Sequence, residues 1–173
     1  MNRSEIETKL NNDRVWLLET YGALRADDLV RGLTVSEHDQ NTKWSALDHL
    51  VHLAGIERAF NGMIRRHLGG GKNPVGLTTD ADGRPRSRDE IMAMVHAGNE
   101  DWVASHRTRT LSEALALGQT VRGETLALLG DLSDSQLAEE LSGAPWADGT
   151  IGGVLAVNAL HSRMHYDWFK DAL

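Results

Sequence analysis

Residues 45–71 read SALDHLVHLAGIERAFNGMIRRHLGGG, and this stretch decides the fold. Ser45 followed three residues later by Asp48 is a capping box, in which each side chain accepts a backbone N–H that the first turn of a helix leaves unpaired. Leu47, Leu50, Ala54, Ala59, Phe60 and Met63 then recur at helical spacing, until Gly69, Gly70 and Gly71 stop the run. Such a helix, to Leu68, spans about 30 Å. The same start signal recurs as Ser4 with Glu7, Ser87 with Glu90, and Thr110 with Glu113. These caps predict helices ending near Arg25, His106 and Leu129; Thr150 caps a last helix from Ile151 to near the C-terminus. A short helical turn is expected between Ser133 and Leu141. Alternating strand-like runs are absent. Residues 26–43 read as a connection, and Gly69 to Arg86, with Pro74 and Pro85, as a loop. The expected fold is all-α: a four-helix bundle with a long crossover containing an additional helix, 88–106, in one domain over 1–173.

The chain has 173 residues, 18 Lys plus Arg against 25 Asp plus Glu, a net charge of −7 and no cysteine. A chain of this length buries roughly 70% of its unfolded surface without cross-links. Its acidity argues against binding to nucleic acid or to an anionic membrane, since neither phosphate surface would be attracted to it. The lack of cysteine excludes disulfides, thiolate zinc sites, iron–sulfur clusters and a cysteine nucleophile. The opening MNRSEIETKL has no apolar core of a secretory signal, and no apolar run approaches the ~18 residues of a membrane span. The cytoplasm is the expected compartment.

Chemistry concentrates on the last helix. At 100° per residue, Ile151, Val154, Leu155, Val157, Met164, Trp168 and Phe169 share an apolar arc, with Arg163, Asp167 and Lys170 opposite. Asn158, His161 and His165 fall inside the arc. Two imidazoles one turn apart lie about 6 Å apart at Cβ and can grip one metal ion. Two hydrogen-bonded core histidines would give the same pattern, so a third ligand is needed to choose. The second helix offers His49 and His52; both face inward, and periodicity does not separate them.

A resemblance does. Trp44-Ser45-Ala46-Leu47-Asp48-His49-Leu50-Val51-His52-Leu53-Ala54 resembles the W-[ST]-x-x-[DE]-x-[LV]-x-H-L-A motif of the DinB-like superfamily. That group includes mycothiol-dependent maleylpyruvate isomerases and bacillithiol-transferase-like proteins. Asp148-Gly149-Thr150, with the HxxxH of His161 and His165, is similar to the opening and closing signals of the family's last helix. Leu129 to Leu137 fits its L-x-x-L-[ST]-D-x-x-L segment. The likeness implies a bundle holding a divalent ion, usually nickel or zinc, through His52, His161 and His165, with His49 at a variable position. In the isomerase branch a carboxylate usually stands where this chain has His161, a departure that bears on activity rather than on the metal. Three neutral nitrogens independently suit zinc, nickel, copper or iron, and leave a coordination position open for water or substrate.

The resemblance implies thiol chemistry: transfer to, or isomerisation of, a small electrophile with a low-molecular-weight thiol as cosubstrate. A thiol-independent metal hydrolase or detoxification protein and a non-enzymatic metal-binding stress protein are the alternatives. No general base stands out, since Asp48 is engaged in capping and Glu57 is expected towards the polar face. Trp16, Trp44, Trp102, Trp146 and Trp168 are expected mainly in the core, with Trp168 the best candidate for a pocket. Asn158 reads equally as a core amide and as an orienting group. Arg84, Arg86 and Arg88 read as a solvated loop, and His38, His67, His96 and His106 as exposed. Gly69 to Gly71 is not a phosphate loop, because Gly-Lys is not followed by Ser or Thr. The second helix is apolar on more than one side, which calls for cover by the 88–106 helix or by a twofold partner; a homodimer is expected.

Overall fold

A computed structural model describes residues 1–173. The chain forms α1 (Arg3–Gly22), α2 (Ala26–Val30), β1 (Thr34–Val35), β2 (Lys43–Trp44), α3 (Ala46–Leu68), α4 (Arg88–His106), α5 (Leu111–Asp131), α6 (Asp134–Leu137) and α7 (Ile151–Phe169), then a 3-10 turn, Lys170–Ala172. The fold is all-α apart from the two-residue antiparallel strands, which pair Thr34 with Trp44 and Val35 with Lys43. Helix α3 packs on α5 and α7, and α1 on the same two, so α1 and α3 are diagonal members of a four-helix bundle. No helix is long and apolar enough to cross a membrane.

Most boundaries follow the local signals. Ser45, Ser87, Thr110 and Ser133 each close a capping box, and Thr150 Oγ1 accepts the Gly153 N–H. The first helix differs. Asn2, rather than Ser4, is its cap: the Asn2 side chain accepts the Glu5 N–H at 3.0 Å, and Glu5 Oε2 accepts the Asn2 N–H at 2.9 Å. An Asn cap is as strong as a Ser cap, and starting earlier adds backbone bonds without losing Ile6 or Leu10 from the core. The connection 26–43 also holds more structure than expected, namely α2 and the small hairpin.

Helix α4 lies against α3 from outside the bundle and covers the second apolar side of that helix. Its anchor is Trp102, whose indole N–H donates to the Val51 carbonyl at 2.7 Å. The ring lies where a side chain at position 55 would be, since a Cβ on Gly55 would approach Trp102 to 2.6 Å. Glu100 holds the hairpin to α4 by accepting from Ser36 Oγ at 2.6 Å and from Trp44 Nε1 at 2.8 Å.

The bundle core has two apolar clusters. One contains Ile6, Leu10, Phe60, Ile64, Leu129 and Leu155; the other Leu17, Tyr21, Leu50, Leu53, Val103 and Phe169. Between them, in sequence on every bundle helix, lies a buried polar layer. Arg122 of α5 donates to Glu57 at 2.7 and 3.1 Å and to Asp13 at 3.2 Å. Thr125 donates to Glu57 at 2.6 Å, and Ser162 of α7 donates to Asp13. Glu57 is therefore 6% exposed and faces inward, contrary to its expected place on the polar face. It continues the inward row of His49 and Leu53 at i+4 spacing, and Arg122 supplies the partner that makes burial tolerable.

Candidate metal centre

Because α3 and α7 are neighbours, the second turn of α3 faces the C-terminal half of α7. His52, His161 and His165 meet there, with one ring nitrogen from each within 4.8 Å of the others, so they form a group that could hold a metal ion. His161 Nε2 and His165 Nε2 are 2.9 Å apart. Two nitrogens bound to one ion at about 2.0–2.1 Å are separated by roughly 3 Å, so this pair needs only to open slightly.

Burial sets the protonation of the cluster. It pushes the His52 pKa down to about 3, with charge on His161 and His49 adding to the effect. It pushes His49 and His161 down to about 4. His165 is held far below its ordinary range, first by burial and then by the other three histidines. At neutral pH all four rings are uncharged and offer lone pairs, the form a divalent ion requires.

His49 does not join the three-histidine group, yet it is 2% exposed and tied to it. His49 Nδ1 lies 2.8 Å from His165 Nδ1, and His49 Nε2 lies 2.7 Å from Thr34 Oγ1. Two proton arrangements satisfy this chain. In one, Thr34 donates to His49, His49 donates to His165, and His165 Nε2–H donates to His161. In the other, His165 Nδ1–H donates to His49 and His49 Nε2–H donates to Thr34. Only the second leaves the His165 Nε2 lone pair free beside His161 and His52. Thr34 and His49 thus determine whether His165 can ligate. Periodicity placed His49 inward, but nothing local in the sequence pairs it with Thr34, fifteen residues upstream.

The three histidines line a cavity of about 700 Å³, a size suited to a small molecule. Trp44, Trp146 and Trp168 all contribute to its wall, so three of the five tryptophans face it. Trp44 tilts over His52 with ring centroids 5.1 Å apart, and Trp168 over His165 at 4.3 Å. Trp16 packs edge-on against Tyr166 instead, and Trp102 anchors α4. Met164 and Trp168, expected in the buried arc of α7, are more than half exposed and stand at the cavity. The buried face of α7 is rotated from the expected one and runs through Leu155, Asn158, Ser162, His165 and Phe169.

The remaining candidates are structural. Asn158 is buried and donates to the Leu155 carbonyl at 3.2 Å. Arg84 pairs with Asp80 and Glu90, while Arg86 donates to the carbonyls of Gly76, Leu77 and Thr79 and ties the loop together. Of the other four histidines, His38 is exposed and His96 half-buried beside Glu37, and both line the cavity; His67, beside Glu139, and His106 are half-buried away from it. Asp48 keeps its capping role and also accepts from Arg107 at 3.3 Å.

No curated protein is a significant match to the chain. A crystal structure of an uncharacterised protein from Escherichia coli UTI89 is similar to it, with a TM-score of 0.62 and 17% identity, over 99% of this chain and 94% of that one. At this identity the likeness supports the fold alone. The sequence profile of the DinB superfamily matches residues 5–169, which takes in every bundle helix and both histidine motifs, and the chain belongs to that superfamily.

Proposed function

We propose that His52, His161 and His165 hold one divalent ion, nickel or zinc, and that the protein is a metal-dependent enzyme of S-transferase or isomerase type. It would act on a small electrophile with a low-molecular-weight thiol. The observation that carries this reading is the convergence of three neutral imidazoles at the wall of a cavity sized for a small molecule. When bound, the ion would lower the pKa of a thiol so that sulfur is present as thiolate near neutral pH. The chain has no cysteine, so that sulfur belongs to a cosubstrate. In a transfer, sulfur forms the new bond to carbon, the leaving group departs with the electrons of the broken bond, and the thiol proton passes to solvent. The chain's own part is positional. His49 and Thr34 hold the His165 ring in orientation, and Trp44 and Trp168 pack against the rings of His52 and His165.

Metal analysis of variants is the direct test. His52→Ala, His161→Ala and His165→Ala are each expected to lose stoichiometric metal, and a wild-type metal content in His52→Ala overturns the assignment. Metal-loaded protein should then consume a neutral electrophile such as 1-chloro-2,4-dinitrobenzene only when one thiol of the series mycothiol, bacillithiol and glutathione is present. Turnover without thiol would instead indicate metal-activated water, and no turnover a non-catalytic metal protein.

A further inference from the structure

The charge pattern of the cavity wall carries an inference about what the site accepts, and it rests on the function proposed above. Twenty-three residues line the cavity, twelve of them hydrophobic, and no lysine or arginine is among them. The chain has 18 such residues, so their exclusion from the site is a local feature. Six histidines line the wall, but His49 is engaged with Thr34 and His165, while His52, His161 and His165 converge on one point, and His96 pairs with Glu37, which leaves His38 at the exposed edge. The one carboxylate of the wall is Glu37, 69% exposed at the side chain and 3.3 Å from His96, so it stands at the rim and repels anions. Ser36 and Trp44 direct their hydrogen bonds to Glu100, and Thr34 is engaged with His49, which leaves the Asn99 amide and the His38 ring among the wall's unengaged donors, neither a fixed cation.

We propose that this site takes an uncharged, largely apolar small molecule and selects against ligands that carry a carboxylate away from the metal-facing atom. A single anionic donor atom would be compensated by a divalent ion held at the three-histidine group. A second negative charge further out would be desolvated among Trp146, Met92, Met164 and Trp168 with no cation to meet it. The ordinary answer to a carboxylate, a forked arginine, is absent.

Two mercaptans of nearly the same shape test this: para-methylbenzyl mercaptan and para-carboxybenzyl mercaptan. Each is titrated into zinc-loaded and metal-free protein and followed by tryptophan fluorescence, since Trp44, Trp146 and Trp168 surround the site. The methyl compound is expected to bind at least about 30-fold more tightly in both forms, because the selection comes from the wall. Equal affinity, preference for the carboxylate, or no binding of the methyl compound overturns the proposal. Binding that keeps the selectivity but is indifferent to zinc supports it while counting against the metal-thiol function. Met92, on α4 and 41% exposed, can carry a longer polar side chain without disturbing the core. Met92→Lys is expected to raise affinity for the carboxylate compound about 10-fold and so to narrow the preference for the methyl compound by at least that factor. An unchanged preference in Met92→Lys also overturns the proposal.

Discussion

Both ring nitrogens of His49 are engaged inside the protein, one with His165 and one with Thr34, so its effect on the site is transmitted through His165 rather than made directly. Partners of this kind typically change metal affinity 10- to 100-fold. His49→Gln and Thr34→Val are therefore expected to retain one metal per chain while weakening its affinity by about 10- to 100-fold, as measured by competition with a chelator. His52→Ala, in contrast, should lose stoichiometric binding. The sequence places His49 and His52 equally well, since both lie on the inward side of α3. What separates them is which nitrogen neighbours come from β1 and α7, a long-range matter that helical spacing does not encode. The same residues give the metal-free protein a pH dependence. Folded His49 and His161 have pKa values of about 4 and His52 about 3, against an ordinary 6.5. The unfolded chain therefore takes up protons first as pH falls. Their contribution is fully present above about pH 6.5 and is lost as pH falls towards 4. Urea midpoints of metal-free protein at pH 7 and pH 5 should show this fall; a constant midpoint would mean that the rings ionise in the folded state.

The elements with closed capping boxes, α3 through α6, begin where local chemistry says they should, because a cap is satisfied by residues three apart and needs no tertiary knowledge. The first helix shows the limit of that rule. Asn2 with Glu5 and Ser4 with Glu7 are overlapping candidates, and local chemistry alone does not rank them. The polar layer is not read from the sequence, in which Glu57 is expected on the polar face, whereas it is buried. Glu57 follows His49 and Leu53 at helical spacing, yet its partner Arg122 is 65 residues away on α5. Arg122 joins three helices by meeting Glu57 of α3 and both Asp13 and the Leu10 carbonyl of α1. Burial raises the pKa of Asp13, and the Ser162 and Arg122 hydrogen bonds only partly offset it, so Asp13 depends on this cation. Arg122→Met leaves two carboxylates in the core without a counter-charge. Loss of one partner from a buried ion pair costs about 3–5 kcal/mol, and chemical denaturation should show a loss of that order. A loss below 1 kcal/mol would mean that Asp13 and Glu57 are both protonated or hydrated in the fold.

At the scale of the molecule, α1, α3, α5 and α7 enclose two apolar clusters with an ionic layer between them, and the histidine group lies to one side, opening to the cavity. The apolar side chains of both clusters come from every bundle helix, and each fully buried Leu, Ile or Phe contributes about 1.5–3 kcal/mol. None of them depends on the three-histidine group. This differs from a zinc finger, in which coordination replaces a core that the chain is too short to build. The helices are therefore expected to form without metal, and the ion to act as a ligand of the folded state. Free metal at about 1,000 times its Kd stabilises such a state by about 4 kcal/mol. For a domain of this size each kcal/mol moves Tm by roughly 2–4 °C, so chelation should lower Tm by about 8–16 °C. Helical circular dichroism at 25 °C should persist through the same treatment. Its collapse on chelation would place the metal among the elements that build the bundle, and an unchanged Tm would show that no ion had been bound at these histidines.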